Sequence, residues 1–105
     1  HGRKGDVINK GGYKISIPEM ELYLQSLQGV SEVAIITIND DIRGEDFVAY
    51  MVLEDNTELS KIIEIIHHER PSVEWPKAIL EIPMLPLTEC SKVDKRKLKE
   101  WYNKG

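Results

Sequence analysis

Lys92 is the side chain best placed by its neighbours to act on an anion. It lies in the run Pro86-Leu87-Thr88-Glu89-Cys90-Ser91-Lys92-Val93-Asp94, where a proline-ended loop delivers one lysine just before a basic, helix-forming segment. A compact ammonium held on such a loop can face developing negative charge, as when a carboxylate attacks an α-phosphate and two anions must be held together. The other end of the chain offers a second loop, from Gly2 to Ile15, with two adjacent glycines, Gly11 and Gly12, at its tip. Its two glycines let backbone approach a ligand closely, a hairpin tip exposes its N–H groups, and Lys14 can reach a phosphate. Taken singly, each loop also fits a plainer description: a solvated lysine after a hairpin, and a surface lysine opening a helix. The glycine pair is not a Walker loop, because no Gly-Lys-Ser/Thr follows and the tip leads into a strand. It is not a Rossmann fingerprint either.

Other reactive groups are less well arranged. His67-His68-Glu69 invites a metal, but adjacent helical residues point about 100° apart and no third ligand is in sight. Cys90 lacks a histidine nearby in sequence to make it a nucleophile. Asp40, Asp41, Glu45 and Asp46 lack the spacing of a calcium loop and read as a solvated turn. Trp75 and Trp101 read as core or interface fillers. No metal site is expected.

The elements that must hold these loops follow from pattern. Residues 7–9 and 13–16 are β-prone runs around the Gly-Gly turn, an N-terminal β-hairpin. Ser16-Ile17-Pro18-Glu19 fits a capping box, Ile15 and Met20 a hydrophobic staple, and Met20, Tyr23, Leu24 and Leu27 an apolar stripe. A helix over 18–28 is predicted, ended by Gly29. Val33 to Ile38 and Phe47 to Leu53 read as antiparallel strands with a polar turn from Asn39 to Asp46. Asp55 and Glu58 are expected to cap a helix bearing Leu59, Ile62, Ile63 and Ile66, which Pro71 stops. An extended, proline-punctuated stretch then leads to a last helix from Asp94, docked by Val93, Leu98 and Trp101. The fold class is α+β, a small, mainly antiparallel sheet with flanking helices.

At 105 residues the chain is one small domain, and 41% hydrophobic with 30% charged residues is ordinary globular composition. A net charge of -4 argues against general nucleic-acid binding, although the tail from Lys92 to Lys104 is basic. No apolar run approaches the ~20 residues of a membrane helix. The lone Cys90 cannot form an internal disulfide, and without a secretory segment the expected location is cytoplasmic.

Together, the two loops resemble the signature segments of the C-terminal domain of adenylate-forming enzymes. That superfamily includes acyl-CoA synthetases, nonribosomal peptide synthetase adenylation domains and luciferases. The first segment is matched by Gly2, Arg3, Asp6, Ile8, Gly11, Gly12, Ile15, Glu19 and Glu21, and the last by Pro86, Thr88, Lys92, Val93, Asp94, Lys95 and Arg96. Trp75-Pro76-Lys77 is similar to a further family turn. Gly12-Tyr13-Lys14-Ile15-Ser16 looks more like acyl-CoA synthetases than peptide-synthetase domains.

The resemblance implies a two-step ligase: ATP and a carboxylic acid give an acyl-adenylate, and a thiol then takes the acyl group. By the resemblance, Lys92 would be the adenylation lysine, Arg3 would hold the ribose and Lys14 a phosphate of ATP or CoA. Gly11, Gly12 and Tyr13 would line the pantetheine tunnel, and Gly5 would fall at the hinge where the family has Lys or Asp. Mg2+ is expected with the nucleotide but not on this domain. The chain would be the mobile C-terminal lid of a longer enzyme, its large N-terminal domain absent, and inactive alone. The thiol would belong to CoA or, alternatively, to a carrier-protein pantetheine; a non-catalytic stand-alone binding module is the reading from another class. Ser91 stands where the family prefers glycine, and a left-handed backbone there would cost a serine about 1 kcal/mol.

Overall fold

The structure is a computed structural model that describes residues 6–42 and 44–104. Five strands form one sheet, flanked by three helices, in the α+β arrangement expected. Strands β1 (Val7–Lys10) and β2 (Tyr13–Ser16) make the N-terminal hairpin, paired from Val7↔Ser16 to Lys10↔Tyr13. Helix α1 (Ile17–Gln25) follows without a linker. Ser16 caps it by accepting the Glu19 N–H at 3.4 Å, Pro18 lies in its first turn, and Ile15 and Met20 are buried in one cluster.

The helix is shorter than its apolar stripe predicts. It ends at Gln25 because the Ser26 hydroxyl donates to the Tyr23 carbonyl at 2.6 Å, and Leu27 is buried beyond the helix. Gly29 therefore does not end the helix; it turns the chain into the next strand at φ 96, where a Cβ would lie 2.6 Å from Thr57 Cγ2.

Strands β3 (Val30–Asp40) and β4 (Gly44–Leu53) form a long antiparallel hairpin, so the turn is narrower than the expected 39–46. The polar flanks enter the strands because each finds a partner: Asp46 with Lys10, Asp40 with Lys77, and Glu45 with the Asn9 N–H. Helix α2 (Leu59–Glu69) buries Ile62 and Ile66, and the chain turns extended at Arg70 before Pro71. Glu58 holds the cap position with extended backbone, but its side chain makes no cap bond. The expected side-chain cap is thus absent there, and the Lys61 N–H is taken by the Glu58 carbonyl at 3.1 Å. A 3-10 turn over Ser72–Glu74 leads to β5 (Ala78–Glu81), which pairs parallel to β4 with α2 as the crossover. Both β1 and β5 lie along one edge of β4, β1 at Gly44 and β5 from Val48 onward. Helix α3 (Lys95–Lys104) closes the fold.

Alternation along β3 and β4 sorts the core onto two faces. Ile35, Phe47, Ala49 and Met51 point to the side covered by α1, α2 and the hairpin residues Ile8 and Ile15. Ala34, Ile36, Val48 and Tyr50 point to the other side, under Leu85, Val93 and Leu98. Leu98 docks α3 as expected and its carbonyl accepts the Tyr50 hydroxyl at 3.2 Å. Trp101 does not dock as a core residue: it is 44% exposed and touches Tyr50 edge-on.

Candidate functional site

The hairpin tip is built for close approach. Gly11 and Gly12 sit at φ 60 and 89, the left-handed pair a two-residue hairpin turn requires, with nothing within 4 Å of where a Cβ would stand. The Gly12 N–H donates to Asn9 Oδ1 at 2.8 Å, which fixes the turn from inside and leaves its outer surface open.

Two anchors hold the hairpin to the body. The Lys10 ammonium, 2% exposed, lies 2.9 Å from Asp46, donates to the Trp75 carbonyl and rests over the Phe47 ring. The Tyr13 hydroxyl donates to Glu74 at 2.9 Å, and that acceptor raises the phenol pKa because ionisation would forfeit the hydrogen bond and set two anions together. Glu74 also takes Arg70 at 3.3 Å, and Arg70 stacks over Tyr23. Tyr13 and Lys14 thus border a cleft shared with Ser16, Glu19, Arg70 and Glu74. Lys14 is exposed, and its ammonium has no hydrogen-bond or ion-pair partner among the described residues.

The second loop is a small closed turn. Leu87 and Val93 form a bridge, the Thr88 N–H donates to the Lys92 carbonyl at 2.7 Å, and the Asp94 N–H donates to the Pro86 carbonyl at 2.8 Å. Thr88 Oγ1 accepts the N–H of Cys90 and of Lys92, both at 3.3 Å. Ser91 takes φ 63, so the position that calls for left-handed backbone is filled by a serine. Asp94 then caps α3 by accepting the Lys97 N–H at 3.1 Å. The backbone of Lys92 is therefore pinned on both sides while its side chain stands in solvent, its ammonium free of protein partners among the described residues.

The two loops are not brought together. The hairpin belongs to the α1–α2 face of the sheet and the Lys92 turn to the α3 face. Arg3 and Gly5, expected at the ribose and the hinge, lie outside the described residues. His67 is occupied, its ring stacked 3.8 Å from that of Trp75, and Cys90 is an exposed thiol. Among the described residues no group of three or more His, Cys, Asp or Glu could hold a metal ion, and no helix is long and apolar enough to cross a membrane.

Several residues that shape the site carry little sequence signal. Lys10 shares a strand face with buried Ile8, so strict alternation could have flagged it. Glu74, Arg70 and the Trp75 carbonyl reach the hairpin from more than fifty residues away, which no local pattern encodes.

Residues 19–92 match the family described as AMP-binding enzyme C-terminal domain. A 2-hydroxy-7-methoxy-5-methyl-1-naphthoate–CoA ligase of Streptomyces carzinostaticus is 34% identical over 93% of this chain and 18% of its own length. A salicylyl-CoA synthase/salicylate adenylyltransferase of a Streptomyces species is 36% identical over 94% and 18%. Among solved structures, a fatty acyl CoA synthetase of Mycobacterium tuberculosis superposes with a TM-score of 0.78 at 30% identity, over 95% of this chain and 20% of that one. The chain thus spans about a fifth of the length of these relatives.

Proposed function

The chain belongs to the AMP-binding enzyme C-terminal domain family of adenylate-forming ligases, and from that premise we propose that it is the mobile lid of an ATP-dependent acyl-CoA synthetase. In the first half-reaction a carboxylate oxygen attacks the α-phosphorus of ATP, pyrophosphate leaves, and an acyl-adenylate forms. Lys92 sets its ammonium between the carboxylate and the α-phosphate oxygens, where charge is concentrated in the transition state. In the second, a thiolate attacks the acyl carbonyl and AMP departs as the thioester forms. Gly11, Gly12 and Tyr13 then wall the pantetheine passage, Lys14 holds a phosphate of ATP or CoA, and Arg3 the ribose. Rotation about Gly5 exchanges the two arrangements.

One observation carries this reading. Two loops suited to anionic ligands stand apart in the fold: the hairpin is part of the sheet and packs Ile8 and Ile15 against the α1–α2 side, while the Lys92 turn packs Val93 against the other side. One rigid-body rotation could therefore exchange which loop meets a shared centre.

The test is Lys92→Ala in the full-length enzyme, with the half-reactions assayed separately. ATP–pyrophosphate exchange should fall by about 10²–10³-fold, the usual loss when one charge-stabilising donor is removed. Thioester formation from supplied acyl-adenylate should persist. Loss of the second reaction with the first intact would overturn the assignment. Offering free CoA and a pantetheinylated carrier protein in parallel identifies the thiol, and failure of both half-reactions in the unaltered enzyme would favour a non-catalytic module.

A further inference from the structure

We propose that Glu21 is a positioning residue for Lys92, an inference that rests on the adenylation role given to that lysine. Glu21 and Gln25 sit one turn apart on α1 and reach the open edge of β3. Glu21 Oε2 accepts the Ile35 N–H at 2.8 Å, and Gln25 Nε2 donates to the Ser31 carbonyl at 2.7 Å. The same Oε2 also accepts the Lys95 ammonium at 2.8 Å. Lys95 opens α3 immediately after the capping Asp94, and the Asp94 N–H closes the Lys92 turn on the Pro86 carbonyl.

This pair bridges the two faces around the sheet edge. Helix α1 lies on the hairpin's side, while α3 and the Lys92 turn lie on the other. Leu98 is the one fully buried residue of α3. Further along, Tyr102 packs half-buried against the same cluster and Trp101 stands edge-on to Tyr50. The Glu21–Lys95 contact instead ties down the other end of the helix, three residues from Lys92, in a first turn whose remaining side chains, Arg96 and Lys97, are exposed. The contact also meets an electrostatic need. Lys95, Arg96 and Lys97 occupy the first turn of α3, where the helix dipole disfavours cations. A carboxylate at position 21 offsets that repulsion; an amide would not.

The test uses the full-length enzyme. In Glu21→Gln the amide oxygen can still accept the Ile35 N–H, so the sheet edge keeps its cover and only the charge facing Lys95 is lost. Adenylation should slow by about tenfold, since displacements near 1 Å can cost up to about 10²-fold. Thioester formation from supplied acyl-adenylate should be unchanged. Lys95→Ala should reproduce the defect, Lys95→Arg should not, and the double variant should be no worse than either single, because the pair acts as a unit. The pair is partly exposed, at 46% and 27%, so added salt should depress wild-type adenylation more than that of the variants. Equal slowing of both half-reactions, or unaltered adenylation in Glu21→Gln and Lys95→Ala, overturns the inference. If Lys92→Ala spares adenylation, it is the functional reading that falls; if Lys92→Ala abolishes it and Glu21→Gln does not, only the role of Glu21 falls.

Discussion

The Lys10 ammonium lies 2.9 Å from the Asp46 carboxylate, and both side chains are almost wholly out of solvent. Asp46 also accepts the N–H of Phe47 at 2.8 Å, so few polar atoms of the pair are left to water. Desolvating two charges is costly, and the gain over an apolar pair is small. The penalty falls on any change that removes one partner alone. Lys10→Met should therefore destabilise the domain by about 3–5 kcal/mol, read from denaturant unfolding. Lys10→Met combined with Asp46→Leu should recover much of that loss. A single variant as stable as the parent would show that the pair is not buried in solution.

Ser91 at φ 63 makes a backbone prediction. A β-branched residue is worse there than serine, so Ser91→Val should cost about 1–2 kcal/mol and loosen the Lys92 turn. Ser91→Gly should hold or raise stability by up to about 1 kcal/mol. Thermal unfolding checks both, and in the full-length enzyme Ser91→Val should slow adenylation before thioester formation.

Tyr13→Phe removes the hydroxyl that ties the hairpin to Glu74. The bond is exposed, so stability should drop by no more than about 1 kcal/mol. Its consequence should be kinetic, a several-fold rise in the KM for CoA with ATP–pyrophosphate exchange unaffected. Equal loss in both half-reactions would place Tyr13 outside the thiol passage.

Alkaline pH should weaken the fold. Burial, and then the hydrogen bond to Glu69, push the Tyr23 phenol from 10.0 up to about 12. The Lys77 ammonium is likewise raised above 10.5, chiefly by its hydrogen bond to Asp40. In both cases the protonated form is the one favoured in the folded state. Their contribution is complete below pH 10 and is lost as pH rises through the folded values, which for Tyr23 is about 12 and for Lys77 lies above 10.5. Urea midpoints measured from pH 9 to 12 should fall across that window, and Tyr23→Phe should flatten part of the decline.

Much of this was legible from short-range pattern. The glycine pair marked the hairpin, Ser16 marked the start of α1, and the apolar spacing of Ile62 and Ile66 marked α2, because each signal acts within a few residues. What pattern could not supply was supplied by distant partners. Asp40 and Asp46 look like a solvated turn until Lys77 and Lys10 are placed beside them. The end of α1 depends on one hydroxyl at Ser26, and the parallel pairing of β5 on a strand thirty residues earlier (48 to 78, 51 to 81). At the site, the motif residues located both loops. Neither the double grip of Thr88 on the Lys92 turn nor the bridge from Glu21 to Lys95 could be read from spacing alone.

The parallel seam between β4 and β5 has a kinetic consequence. The β3–β4 hairpin closes over only a few residues, so it can zip early, whereas joining β5 to β4 requires a far larger entropy of loop closure. Everything after Glu81, including Lys92, is then assembled late and is the first to come loose in partial opening. The amide protons of α3 should exchange with deuterium sooner than those of β4, because the helix docks on a sheet that must already be complete.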